Sequence, residues 1–139
     1  MPADGTNTYT YDVENRLVSA TAAGVTATLT YDPLGRLWQV VKGSANTRFL
    51  YDGDALVAEY DGSGVMTNRY VHGSNAAADD PLVWYAGAGL TTLRYLHADH
   101  LGSIVAIAGG TGAIITNGTN AYDEYGINDP GNNASERFG

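Results

Sequence analysis

The sequence predicts an all-β protein, an antiparallel meander of short strands with essentially no helix. Residue types alternate in runs such as Thr8–Tyr11 and Thr26–Tyr31, which places Thr on one face of a pleated strand and Tyr or Leu on the other. The pair Tyr-Asp recurs at Tyr11, Tyr31 and Tyr51 with a constant interval, and this interval suits one hairpin. Gly (18 residues) and Tyr (10 residues) are abundant, and neither type favours helices.

Turn residues separate the alternating runs and so delimit the strands. The predicted turns are Asn15-Arg16, Leu34-Gly35, Lys42-Gly43-Ser44, Gly53-Asp54, Gly62-Ser63-Gly64, Gly109–Gly112 and Asn117-Gly118. The predicted strands are Thr8–Asp12, Leu17–Thr21, Thr26–Tyr31, Leu37–Val41, Thr47–Tyr51, Leu56–Tyr60, Thr67–His72, Leu82–Tyr85, Leu93–His97, Ile104–Ile107, Ala113–Thr116 and Ala121–Tyr125. Short turns between successive strands make an antiparallel meander.

Composition limits the classes of partner. The chain has 139 residues, enough for one domain or a fragment of a larger one. Its formal net charge of −8 repels phosphate backbones and anionic lipids, so we expect no nucleic-acid partner. No segment reaches the ~18 apolar residues that a membrane span needs, so we expect no membrane insertion. Cysteine is absent, which removes disulfides and thiolate chemistry. The segment Met1–Gly5 has neither the basic nor the apolar region of a signal peptide.

A seven-residue motif, Tyr-Asp-x-x-(Asn/Gly)-Arg-Leu, occurs at Tyr11–Leu17 and at Tyr31–Leu37. Its Asn or Gly tolerates positive φ. We predict that the Asp accepts hydrogen bonds from turn N–H groups and that the Arg four positions later pairs with it. The predicted structural repeat residues are Tyr11, Asp12, Arg16, Tyr31, Asp32, Gly35, Arg36, Tyr51, Asp52, Tyr60 and Asp61.

These repeats resemble the YD repeats of RHS (rearrangement hotspot) proteins, which include bacterial polymorphic toxins, insecticidal toxin-complex components and teneurins. The stretch Tyr95–Ser103, followed by Ala121–Gly126 and Arg137–Gly139, is similar to the start of the RHS-associated core. The residues that carry this second similarity are His97, Asp99, His100, Gly102, Ser103, Tyr122, Asp123 and Gly126. The resemblance thus divides the chain into YD-type hairpin repeats over 1–92 and the start of the core over 93–139, both within one sheet.

The resemblance implies a spiralling β-sheet of the kind that encloses a toxin polypeptide, in a secreted or cell-surface bacterial protein. The chain departs from that pattern in two respects. A dozen short strands are too few to close a large shell, and the self-cleaving aspartyl-protease motif of the family is missing. We therefore expect a non-enzymatic structural module.

Two chemical interpretations of the second stretch stay open beside a structural one. His97, Asp99 and His100 are metal-ligating types, but residues 97 and 99 of a strand share a face while residue 100 points away. Ser103, His100 and Asp99 are the residue types of a hydrolytic triad, without the sequence pattern of a nucleophile elbow. We favour a structural motif with no catalytic residue, no metal and no cofactor.

The tyrosines allow two functions. Repeating in register, they would form cross-strand ladders that stabilise the sheet. Exposed, they would form a surface for a carbohydrate or peptide. We favour the ladders, and we expect the two outer strands of the strip to pair with another copy in an oligomer or filament, or with the rest of an RHS shell.

Overall fold

The computed structural model describes residues 7–74, 80–123 and 127, and shows one antiparallel sheet. The predicted all-β class is confirmed. Its strands are β1 (Thr8–Tyr11), β2 (Leu17–Ala22), β3 (Val25–Tyr31), β4 (Leu37–Lys42), β5 (Ala45–Asp52), β6 (Ala55–Asp61), β7 (Met66–His72), β8 (Pro81–Ala86), β9 (Leu93–Ala98), β10 (Ile104–Gly109) and β11 (Ile114–Thr119).

The sheet is a meander in which each strand pairs with its neighbours in sequence, in the order β1 to β11. Within the described residues β1 pairs only with β2, and β11 only with β10. In this part of the chain, therefore, the two outer strands β1 and β11 each have one edge that pairs with no other described strand. No helix of the described part could cross a membrane.

A bulge recurs where β1, β3 and β5 end. The pairing register shifts just before Tyr11, Tyr31 and Tyr51, so that each Tyr lies opposite the Leu that begins or nearly begins the next strand. A bulge adds one residue to one strand and re-aims the neighbouring side chains. Tyr and Leu therefore share a face in each of these repeats.

Two buried apolar clusters lie on one face of the sheet. Phe49, Leu56 and Tyr70 form one buried cluster. Leu96, Ile104 and Ile107 form a second. Trp84 packs against both clusters, which makes one stripe across the middle and end of the sheet. The alternation in β3 follows the prediction, with Ala27, Leu29 and Tyr31 half-buried between exposed threonines.

The predicted turn at Asn117-Gly118 is wrong, because both residues lie inside β11. Asn117 has a φ of 55°, and the register against β10 shifts between Ala106 and Ala108. The turn-like residues therefore form an irregularity in a continuing strand. A Cβ on Gly118 would lie 2.7 Å from the Ile107 carbonyl oxygen, so the backbones approach too closely there for a side chain.

The predicted twelfth strand, Ala121–Tyr125, is observed only in part. Tyr122 forms a single bridge, whereas Tyr125, Gly126 and Arg137–Gly139 lie outside the described residues. Residues 93–119 continue the sheet formed by the earlier repeats. The division into 1–92 and 93–139 stays a prediction.

Candidate functional site

Each copy of the seven-residue motif forms a five-residue turn organised by its aspartate. In the first copy, Asp12 Oδ1 accepts from the N–H groups of Glu14 and Arg16, both at 2.9 Å. The Asn15 N–H donates to the Asp12 carbonyl at 3.1 Å. Asn15 has a φ of 61°, as its type predicts. The carboxylate and the carbonyl of Asp12 together accept hydrogen bonds from three backbone N–H groups of the turn.

The second copy repeats this geometry around Asp32. Its Oδ1 accepts from the N–H groups of Leu34 and Arg36, both at 2.9 Å, and the Gly35 N–H donates to the Asp32 carbonyl at 2.9 Å. Gly35 has a φ of 83°, in the position of Asn15. The same five-residue turn therefore forms at the equivalent place in the next repeat.

The predicted Asp–Arg pair is confirmed in both copies. Arg16 Nε donates to Asp12 Oδ2 at 2.8 Å, and Arg36 Nε donates to Asp32 Oδ2 at 2.8 Å. A second guanidinium nitrogen lies 2.7 Å from the same carboxylate oxygen in each pair. Each arginine is thereby held at one end of the sheet in a fixed orientation.

These contacts shift the pKa values of the aspartates in both turns and of Arg16. The N–H of Arg16 and its guanidinium hold the pKa of Asp12 below the ordinary value, against the opposing effect of burial. The hydrogen bond to Asp12 raises the pKa of Arg16. At Asp32 burial is the largest effect and opposes the shift, but the combined hydrogen bonds from Arg36 and Leu34 still lower the pKa.

Each arginine also contacts the tyrosine of the following repeat. The guanidinium carbon of Arg16 lies 4.9 Å from the centre of the Tyr31 ring, and that of Arg36 lies 4.9 Å from the Tyr51 ring. The hydroxyl of Tyr31 donates to the Leu17 carbonyl at 2.8 Å, and that of Tyr51 to the Leu37 carbonyl at 2.8 Å. We call this arrangement of Asp turn, Arg, Leu carbonyl and later Tyr the repeat contact.

The described tyrosines do not form the ladder of rings that the sequence predicts. Tyr11, Tyr31 and Tyr51 each lie opposite a leucine, because the strand after each Tyr begins or nearly begins with Leu. Successive tyrosines are two strands apart, and an arginine covers the ring of Tyr31 and of Tyr51. Arg–Tyr contacts therefore replace Tyr–Tyr contacts in these repeats.

Other Tyr-Asp pairs retain only part of the repeat contact. Asp52 ends β5 and precedes the predicted two-residue turn Gly53-Asp54, where Arg36 donates to the Gly53 carbonyl. Tyr60 is half-buried opposite Met66. Asp61 Oδ1 accepts from the N–H groups of Ser63 and Val65 at 2.8 and 2.9 Å. The turn survives there with Val65 in place of the arginine.

The stretch from His97 to Ser103 contains the same turn. Asp99 Oδ1 accepts from the N–H groups of Leu101 and Ser103 at 2.8 and 3.0 Å, and Gly102 has a φ of 89°. His97 and His100 are exposed. Asp99 thus serves the turn, and the described residues contain no cluster of three His, Cys, Asp or Glu side chains suited to a metal ion.

Two further predicted residues extend this pattern. The hydroxyl of Tyr122 donates to the Ile104 carbonyl at 3.2 Å, so it repeats the bond of Tyr31 and Tyr51 to the residue after an Asp turn. The Asp123 Oδ1 accepts from the Ile127 N–H at 2.8 Å. Gly126 lies outside the described residues.

A buried polar row was missed by the sequence analysis. Glu59 is 5% exposed, and its carboxylate accepts from Tyr70 Oη at 3.2 Å and Asn68 Nδ2 at 3.0 Å. Trp84 Nε1 donates to Asn68 Oδ1 at 2.7 Å, and Arg94 stacks 4.1 Å from the Trp84 ring centre. The only signal was a Glu inside an apolar strand. The row links β6, β7, β8 and β9 across the apolar face.

Fold and turns together define an open antiparallel β-meander built on Asp-capped turns. No family model matches the chain. The chain is similar to the tRNA3(Ser)-specific nuclease WapA of Bacillus spizizenii and to the tRNA nuclease WapA of Bacillus subtilis strain 168. Identity is 37% over 79 residues in both cases, covering 52% of this chain. The chain spans about 3% of the length of these curated relatives.

These names contradict the expectation of a non-enzymatic protein, because both relatives are nucleases. The missing protease motif and the small number of strands concern one short segment, and they do not describe the chemistry of a protein many times longer. The expectation that this acidic segment binds no nucleic acid stays a prediction.

Proposed function

We propose that the chain is a structural β-sheet segment of an RHS/YD-repeat protein of the polymorphic-toxin type, secreted or displayed at the bacterial surface. In this proposal the segment forms part of the wall of a shell that encloses a toxin polypeptide. The observation that carries the proposal is the repeat contact, which occurs in two successive repeats with the same partners and distances.

The repeat contact favours a sheet that grows strand by strand. Each copy joins the turn that precedes one strand to a tyrosine on the following strand: the turn before β2 contacts Tyr31 of β3, and the turn before β4 contacts Tyr51 of β5. Each described strand pairs only with its neighbours in sequence. Such a sheet gains stability from every added hairpin, much as other repeat proteins do from nearest-neighbour interfaces. The great length of the relatives is compatible with a sheet built in this way. Because both relatives are named as nucleases, we propose that such a sheet belongs to a longer protein with nuclease activity.

The outer strands support a role in assembly. Strand β1 carries only Thr and Tyr, with no charge or proline, and charge and proline are the usual devices that keep an edge strand from pairing. In the proposed shell, neighbouring repeats cover this edge. In the isolated chain, we propose that a second copy covers it.

The direction of the strands determines how two copies would pair. All ten neighbouring pairs are antiparallel, so β1 and β11 run in the same direction. Pairing β11 of one copy with β1 of the next would be parallel. Pairing β1 with β1 about a two-fold axis keeps the ladder antiparallel and closes into a dimer.

A light-scattering measurement of mass across a concentration series tests this proposal, with two variants as probes. Thr10 and Thr28 are both exposed and lie in one cross-strand row, each next to Ser19, but only Thr10 is on an edge strand. We expect the unmodified chain to associate as concentration rises, Thr10→Lys to reduce that association and Thr28→Lys to leave it unchanged. A monomer at every soluble concentration, or equal behaviour of the two variants, would contradict edge pairing.

The alternative of a tyrosine surface for a carbohydrate or peptide finds little support. Among the described tyrosines only Tyr11 and Tyr95 are exposed, at 44% and 38%. They lie on β1 and β9, eight strands apart. The exposed rings therefore do not make one continuous platform.

A further inference from the structure

Tyr11 occupies the position of Tyr31 and Tyr51 without their partners. It follows a bulge and lies opposite Leu17, as Tyr31 lies opposite Leu37. In the described part of the chain, however, no arginine covers its ring and no carbonyl accepts from its hydroxyl. Its exposure is 44%, whereas Tyr31 and Tyr51 are half-buried.

The repeat pattern predicts which groups would supply the missing contacts of the Tyr11 ring and hydroxyl. Tyr31 and Tyr51 each take an arginine and a leucine carbonyl from the Arg-Leu pair of the preceding repeat. The corresponding positions for Tyr11 would precede Met1. In space they fall beside the outer edge of β1, because Arg16 and Leu17 lie at the start of β2, on the side of β3 away from β4.

We propose that the outer edge of β1 is a binding site for an antiparallel β-strand that begins with Arg-Leu. The arginine of that strand lies over the Tyr11 ring. The carbonyl of its leucine accepts a hydrogen bond from the Tyr11 hydroxyl. This inference rests on the proposed function, and it identifies the strand that precedes β1 in the longer sheet.

The chemistry of the site gives both affinity and selectivity. Backbone pairing along β1 accepts any extended strand, since main-chain groups are common to all sequences. The Tyr11 ring selects a cation, because the face of an aromatic ring attracts a guanidinium. An Asp turn before the incoming strand would orient its arginine, as Asp12 orients Arg16 over Tyr31.

A grafted copy of the repeat tests the inference within the full chain. The segment Met1–Asp4 is replaced by a copy of the segment Asp12–Gly24, which supplies a turn, an Arg-Leu strand and a second, tight turn. The copied arginine then precedes Tyr11 by the same interval that separates Arg16 from Tyr31. The matched control is the same graft with Arg16→Ala in the copied segment only.

Hydrogen exchange of the β1 amides is the readout, at a concentration where light scattering shows that the unmodified and grafted chains are monomers. We expect the graft to slow their exchange by about tenfold or more relative to the unmodified chain, because an edge strand becomes an inner strand. The control graft should lose most of that slowing. In the grafted chain Tyr11→Ala should also lose it, whereas Tyr95→Ala should not.

Two results would overturn the inference, and they have different meanings. In the first, the control graft protects β1 as well as the graft with the copied arginine does. The sheet then extends at β1 but the Arg–Tyr contact does not select the strand, and the proposed function stands. If neither graft protects β1 while β5 to β10 stay protected, the edge does not accept a strand, and the proposed function fails with the inference.

Discussion

A single aspartate carries three interactions in each repeat turn. In the first turn Asp12 Oδ1 accepts two backbone N–H groups, and Asp12 Oδ2 takes the Arg16 guanidinium. Asn and Asp favour such turns because their side chains replace a backbone acceptor. The pairing of Asp with the Arg four positions later was predictable from the sequence. The contact of that Arg with Tyr31 was not, because it depends on the pairing register of the following hairpin.

The lowered pKa of Asp12 and Asp32 predicts loss of stability in acid. A carboxyl whose pKa is lower in the folded state contributes stability above its unfolded pKa, about 3.9, and loses it as pH falls through the folded value. The melting temperature should therefore decrease as pH falls below about 4. Asp32→Asn should lower the melting temperature at neutral pH and flatten this dependence. Thermal unfolding followed by circular dichroism checks both effects.

Asp52→Asn is the matched control for that measurement. Asp52 also follows a tyrosine, but it ends a strand and caps no five-residue turn. An acid dependence in Asp32→Asn as steep as in the unmodified chain would contradict the role of the turn carboxylate.

The hydroxyl of Tyr31 contributes through one hydrogen bond to the Leu17 carbonyl. Tyr31→Phe keeps the ring under Arg16 and removes that bond. We expect the free energy of unfolding to decrease by about 0.5–1.5 kcal/mol, measured by urea denaturation. Tyr95→Phe, on an exposed ring, should cause little change. Equal effects from both substitutions would show that the hydroxyl bond is not a source of stability.

At the scale of the strand, period and turn chemistry were enough to locate the described elements. The observed strands fall within a few residues of the predicted ones, because alternation reports which face is buried. The bulges before Tyr11 and Tyr31 were not predicted, since a bulge changes register without changing the alternation on either side. The error at Asn117-Gly118 has a similar origin, because turn residues also serve irregularities inside a strand.

Gly118 provides a test of the irregular strand β11. A Cβ there would lie 2.7 Å from the Ile107 carbonyl oxygen and 2.9 Å from that of Ile115, so the backbone itself would have to move. Gly118→Ala should destabilise the protein by about 1–3 kcal/mol, the usual cost of overpacking. Gly110→Ala is the control, since its nearest contact would be an ordinary 3.8 Å. Denaturant unfolding that does not distinguish the two variants would contradict the close approach of β10 and β11.

At the scale of the whole molecule, the sequence predicted the meander but not the polar side-chain contacts that link its central strands. Short turns between alternating runs specify an antiparallel order, which the structure confirms. The row of Glu59, Asn68 and Trp84 carries no repeat and no motif, so only the assembled sheet brings it together. This buried carboxylate links two strands at the centre of the sheet, where each neighbouring strand adds to burial.

An open sheet implies that stability is uneven from edge to centre. Strand β1 has one paired side in the described structure, whereas β6 has two and lies in the buried stripe. Local opening should therefore cost least at β1 and most between β5 and β10.

Residue-resolved hydrogen exchange by NMR, at a concentration where light scattering gives a monomer, tests the open sheet most directly. We expect rapid exchange for the outward amides of β1 and the slowest exchange in β5 to β10. Equal, strong protection of β1 and β6 in the monomer would contradict it, because it would mean that β1 has a partner strand and the strip is closed.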